Sequence, residues 1–296
     1  MTGRLRWLGV LFFGPLLVAS VLEGRTWSAV KTNHFVVYTK RSGGDKIIRR
    51  LEQFRAELHG AGLVNSAKEG IVEVVVFDDE KQYFHYAPPG SSGFFQSRGH
   101  YDFIGLLSTD PDVIGHEYVH AAMSWTWPYA PAWIQEGLAE FYSTARTSAR
   151  GIKVGGLKWE YAGIIDRLSA QRLPELTDAR SGLIRADRRE TSELYGLAWG
   201  AVSLVETADV YRAGCDRFLT ALSNGTGLTE ALSKVYGVSS NRFADDLDHY
   251  LRSGRFSNIE FRSSVLQNVR VTRMSTSQAE NGATRNLMML AFLNSH

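Results

Sequence analysis

The run His116-Glu117-Tyr118-Val119-His120 constrains this chain more than any other feature. Two histidines four positions apart point the same way on a helix, where they lie one above the other about 6 Å apart and can converge on one ion. Glu117 is turned by about 100° from His116 on a period of 3.6 residues, which puts its carboxylate beside such an ion rather than necessarily among its ligands. That place suits a general base for a water that a metal has made easier to deprotonate. In a chain with 8 histidines among 296 residues, a chance H-E-x-x-H match has a probability on the order of 1%.

Sixteen positions after His120 stands Glu136, within Trp133-Ile134-Gln135-Glu136-Gly137-Leu138-Ala139-Glu140. Glu136 and Glu140 share one face of a helix. Neutral imidazoles leave the charge of a zinc ion uncompensated, and one glutamate ligand lowers it while keeping a position open for water. The other glutamate can accept the distal ring N–H of a metal-bound histidine and fix its tautomer. Spacing alone does not assign the two roles. Gly137 removes a side chain where two helices can approach.

At these residues the chain resembles the gluzincin-type metallopeptidases, especially small peptidase MA-like proteins in which an H-E-x-x-H helix precedes a W-x-x-E-G-x-A-E-[FY] helix. The second signature runs here from Trp133 to Phe141. The resemblance implies Zn2+ held by His116, His120 and Glu136, catalysis by Glu117, and support from Glu140 behind a ligand. It also implies an α+β fold: a zincin-like core with a small N-terminal β-sheet followed mainly by helices. Fifteen residues separate His120 from Glu136, a few fewer than in the larger aminopeptidase and thermolysin-like members. The 124–132 segment must then reverse tightly, which Pro128 and Pro131 permit, and substrate preference does not carry over. Comparable proteins often place a tyrosine on a later helix to bind the oxyanion, which makes Tyr195 the candidate here, with Tyr161 and Tyr101 as alternatives.

The expected activity is zinc-dependent hydrolysis of peptide bonds in a peptide or protein substrate. An endopeptidase is expected over an aminopeptidase, because no separate Gly-x-x-x-Asn-type run precedes the histidine helix. The competing class is a catalytically inactive, zinc-stabilised binding or assembly module of the cell envelope. Glu117 favours the enzyme, since a structural site has no need of a base.

Composition narrows the setting. A chain that is 44% hydrophobic and 22% charged is globular, and a net charge of +2 argues against a nucleic-acid partner. Its basic clusters, Lys46/Arg49/Arg50 and Arg185/Arg188/Arg189, are interrupted by Asp45, Glu52, Asp187 and Glu190. Cys215 stands alone, so no intramolecular disulfide forms, and it reads as a buried helix residue rather than a nucleophile. Arg4 and Arg6 precede an uncharged run from Trp7 to Leu22. Residues 1–25 therefore read as a signal peptide or an N-terminal membrane anchor, and the protein as exported, periplasmic or otherwise extracytoplasmic. Nothing in the sequence fixes an oligomeric state.

Strands are expected over 34–39, 71–77 and 101–107, and a loop over 88–93. A helix should start at Asp45, and another near Pro111, capped by Ser108 or Asp110. Further helices are expected over 132–147, 159–170 and 193–208, with two or three more over 216–252. A catalytic domain over 26–252 and an accessory tail over 253–296, with a terminal helix over 278–293, complete the expectation.

Overall fold

The computed structural model describes residues 26–64, 69–98, 101–148, 151–177, 183, 187–261 and 269–294. The expected leader over 1–25 lies outside them. The β-branched runs build the centre of the fold. β1 (Ser28–Lys31) and β2 (Phe35–Thr39) form an antiparallel hairpin. Gly43, at φ 108°, turns the chain into α1 (Gly44–Gly60). This helix is the crossover that a parallel pairing requires, and it returns the chain to β3 (Val72–Val76) beside β2, with Val74 opposite Val37. The short helix α2 (Glu80–Tyr83) then leads to the hairpin of β4 (Gly93–Arg98) and β5 (Tyr101–Leu106). β5 lies parallel to β3.

Alternation along the strands divides two cores. Phe35, Val37, Val72, Val74, Val76 and Ile104 face the helices, whereas Tyr38, Val75, Phe77 and Phe103 face the opposite side. On the helical side α1 is joined by α3 (Pro111–Thr126), which Asp110 caps by accepting the Asp112 N–H at 2.8 Å. α4 (Ala132–Tyr142) follows, and then a small second sheet opens with β6 (Arg146–Ser148) and β7 (Gly151–Gly155). The expected helix over 132–147 therefore stops early. Ser143 and Thr144 turn their hydroxyls onto the carbonyls of Glu140 and Phe141, competing with the helix ladder. Thr144 Oγ1 also accepts the Gly155 N–H at 2.8 Å and ties down the hairpin.

The segment expected as one helix over 159–170 breaks into α5 (Trp159–Ala162) and two 3₁₀ turns, before α6 (Leu173–Thr177). Asp248 holds it in that form by accepting the Ala170 N–H at 2.7 Å. α7 (Arg188–Thr207) is the long helix packed on α4, and α8 (Asp209–Arg212), α9 (Cys215–Ser223), α10 (Leu228–Tyr236) and α11 (Ser240–Ser253) follow it. The 253–296 segment joins both sheets. β8 (Asn258–Phe261) pairs with β7, β9 (Thr272–Arg273) pairs with β1, and α12 (Thr276–Asn294) covers the back of the first sheet through Ala279, Ala283 and Leu290. The strand order of the main sheet is β4-β5-β3-β2-β1-β9. Among the described residues, no helix is long and apolar enough to cross a membrane.

Two features of the α4–α7 contact predict measurable behaviour. A Cβ on Gly137 would lie 2.6 Å from the Ala198 carbonyl oxygen and 2.6 Å from Val202 Cγ2. Gly137→Ala must push the helices apart and should cost about 2 kcal/mol or more, read as a lower urea midpoint at unchanged slope. Nearby, Glu206 is buried and accepts the Tyr142 hydroxyl at 3.2 Å. Burial pushes its pKa up to about 7, against smaller opposing effects of Cys215, Tyr142 and Arg212. The folded state thus holds this proton more tightly than the unfolded chain. The associated stability is complete below the unfolded value near 4.5 and is lost as pH rises through about 7. Glu206→Gln cannot ionise, so between pH 5 and pH 8 it should gain on the parent by an amount on the order of 3 kcal/mol. Denaturant titrations at the two pH values check this, and a constant difference would refute it.

Candidate metal centre

α3 presents its histidines because its other face is committed to the core. Tyr118, Val119, Ala121 and Ala122 are fully buried, and Tyr118 sets its ring edge to face with Phe35 at 5.3 Å between centroids. His116 and His120 are left facing a cleft, with their Nε2 atoms 3.2 Å apart. The reversal after α3 is tight: the Trp127 N–H bonds the Met123 carbonyl and the Ala130 N–H bonds the Trp127 carbonyl. Pro131 then starts α4, whose Trp133, Ile134, Leu138 and Phe141 are buried. That anchoring turns Glu136 and Glu140 toward α3.

The two carboxylates occupy different places. Glu136 Oε2 lies 3.3 Å from His116 Nε2 and 3.6 Å from His120 Nε2. Glu140 Oε1 lies instead 3.1 Å from His116 Nδ1, on the far side of the ring. The tie left by spacing is thereby broken in space. Glu136 completes a triangle of donors with edges of 3.2, 3.3 and 3.6 Å, while Glu140 braces the ring from behind. Tetrahedral zinc with bonds of about 2.1 Å requires ligand–ligand edges of about 3.4 Å. Two imidazoles and one carboxylate on such a triangle fit that ion in both chemistry and size.

The charges around the triangle are strongly coupled. Burial disfavours the His116 imidazolium, but the hydrogen bonds to Glu136 and Glu140 outweigh it and hold its pKa well above the usual value. Burial likewise disfavours ionisation of Glu136 and Glu140, yet both are held low: Glu136 by His120 and His116, and Glu140, at about 2, by His116 and Lys158. Glu117 moves the other way. Burial raises it first, Glu136 and Glu140 add to the shift, and the two histidines oppose it. A carboxylate raised toward neutrality is better matched to general-base work.

Two residues of the site escaped the sequence reading. Lys158 places Nζ 2.5 Å from Glu140 Oε2, and both side chains are only 10% exposed. Its ammonium also stands 6.0 Å above the Tyr161 ring. The second is Gly93, at the start of β4. A Cβ there would lie 2.7 Å from Glu117 Cγ and 2.8 Å from its Oε1, so the strand backbone runs directly against the candidate base. A glycine closing a Pro/Gly/Ser loop was the signal available in sequence; for Lys158 there was none.

The three tyrosines separate clearly. Tyr195, on α7, lines the same cleft as Glu117. Burial first, then the charges of Glu136 and Glu140, raises its hydroxyl far above the usual range, so it stays a donor. Tyr161 also lines the cleft, with its ring against Trp199 at 5.5 Å. Tyr101 points away, and its hydroxyl donates to Asn286 on α12. Cys215 is buried and its thiol is raised by that burial, which makes it inert.

The cleft measures about 920 Å³, and its walls come from the 88–95 and 108–113 segments on one side and the 158–161 and 188–195 segments on the other. No protein-family model and no curated protein matches the chain.

Proposed function

We propose that this protein is a zinc-dependent peptidase with a zincin-like core, acting as an endopeptidase. The observation that carries the reading is the donor triangle of His116, His120 and Glu136, with Glu117 beside it and Glu140 behind it. Zinc would supply Lewis acidity toward a peptide carbonyl and a water molecule. Glu117 takes the proton of the attacking water and passes it to the departing amine. Tyr195 donates to the developing oxyanion. Glu140 accepts His116 Nδ1–H and so keeps Nε2 directed into the triangle, with Lys158 neutralising that carboxylate.

Substrate binding follows from the sheet. β4 is an edge strand among the described residues, and its backbone passes against Glu117 at Gly93. An extended peptide paired on that edge would bring its carbonyls past the base. The cleft of about 920 Å³ is at the upper end of the range for small-ligand sites, roughly 300–1,000 Å³, which gives room for several residues of chain. The leader expected over 1–25 would place this activity outside the cytoplasm, free or tethered to a membrane.

Metal titration tests the reading. Chelator-stripped protein should take up one equivalent of zinc, and His120→Ala should abolish that uptake. Protein that takes up no stoichiometric zinc would end the proposal. Bound zinc without turnover of any peptide would indicate a zinc-stabilised binding module.

A further inference from the structure

Beside the edge of β4 lies a second cavity of about 350 Å³, with His85, Tyr86, Pro88, Phe94, Phe95 and Gln96 in its wall. Pro88, Phe94 and Phe95 also wall the cleft that holds Glu117, so the two cavities adjoin along β4. Its rings are held in place. Tyr86 packs against Phe77 at 5.9 Å and meets the His85 ring edge to face at 4.8 Å. Phe94 is fixed by Tyr83 at 5.7 Å and Phe103 at 5.9 Å. Among the described residues the wall contains no carboxylate, lysine or arginine. Gln96 Oε1 is buried with no hydrogen-bond partner, an amide group not yet satisfied within the fold.

The strand itself relates the chamber to the cleft. Position 93 faces Glu117 and Val113 on α3, whereas the Phe94 ring packs in the core on the opposite side of the sheet. A peptide laid along β4 alternates with the same period of two. When one of its side chains points toward α3, the neighbouring one points toward the chamber. Charged side chains entering there would lose water and meet no opposite charge in the wall, and small ones would leave the space unfilled. Aromatic walls favour an aromatic occupant in edge-to-face contact.

We infer that this chamber is a specificity pocket for one large, uncharged, ring-bearing side chain of a peptide substrate held along β4. The inference rests on the peptidase reading and adds the substrate class to it. Zinc-loaded full-length Glu117→Gln protein can be titrated with fluorescein-labelled decapeptides that place Phe, Trp, Ala, Asp or Lys at each position in turn. At one position Phe or Trp should bind about tenfold or more tighter than Ala, with Asp and Lys no better than Ala. Gln96→Glu would put a carboxylate in the wall and should cut the Phe-over-Lys ratio at that position by about tenfold. His85→Ala, at an exposed wall residue, should lower the Phe-over-Ala ratio as well, and bound zinc reports that each variant remains folded. Peptide binding or turnover with no preference for rings at any position overturns the pocket but leaves the peptidase reading standing. So does a preference unchanged in both variants. Absence of any peptide binding, together with no turnover by the parent protein, overturns both.

Discussion

Glu117→Gln should lower peptide turnover by about 10²- to 10⁴-fold, the range typical of a lost general base, while one equivalent of zinc stays bound. Glutamine keeps the shape of a side chain that touches the β4 backbone at Gly93, so the cleft wall should not move. It also leaves the triangle of His116, His120 and Glu136 complete. What it removes is the ability to take a proton, in a carboxylate that burial has already raised. Initial rates on a quenched fluorescent peptide, with zinc measured on the same sample, check both halves. Turnover within threefold of the parent would show that Glu117 is not the base. Loss of zinc together with activity would show that it is a ligand.

Lys158→Met should destabilise the metal-free fold by about 1.5–3 kcal/mol, the worth of a hydrogen bond to a charged group, because the His116 imidazolium still faces Glu140 at 3.1 Å. Nearly all of the ammonium and of the Glu140 carboxylate is withdrawn from water, so neither is exchanged cheaply for solvent. Lysine also balances the site. Glu117, Glu136 and Glu140 contribute −3, a divalent ion +2 and Lys158 +1, which sum to zero. Arginine should restore part of the loss, because it keeps the charge although not the shape. Pairing Lys158→Met with Glu140→Gln should also restore part, since the buried carboxylate that lost its ammonium is then neutral. Denaturant midpoints for the parent, for Lys158→Met, Lys158→Arg and Glu140→Gln alone, and for the double variant decide the matter. Additive losses in the double variant would show that Lys158 acts independently of Glu140.

The elements that sequence made legible are those whose information is local. His116 to His120 could serve one ion only on a helix, and Asp110 with Pro111 marked where that helix starts. The valines at 72–76 identified a strand without reference to its neighbours. Roles set by tertiary approach were hidden. Glu136 and Glu140 are equivalent on one helix and differ only once α3 lies across them. Lys158 finds its partner 18 residues away in the chain. β7 and β8 lie about 100 residues apart in sequence and are too short for a clear alternation to show. The buried stripe of α12 consists of Ala279, Gly282, Ala283, Asn286 and Leu290. The helical spacing was visible, but two alanines and an asparagine did not reveal that the helix docks.

That docking orders events during synthesis. The five strands from β1 to β5 are complete by residue 106, and apart from α1 the helices that cover one side of them follow directly. The other side, with Trp27, Tyr38, Val75, Phe77 and Phe103, receives Ala279, Ala283 and Leu290 only from the last helix. Synthesis must therefore pass residue 290 before this apolar surface is fully shielded, although domains otherwise begin to fold from the N-terminus. A product that ends before residue 276 would carry all the residues of the candidate metal centre on a sheet whose second face is covered only in part, by Tyr83, Ala87 and Phe94. Its failure would be aggregation rather than loss of chemistry.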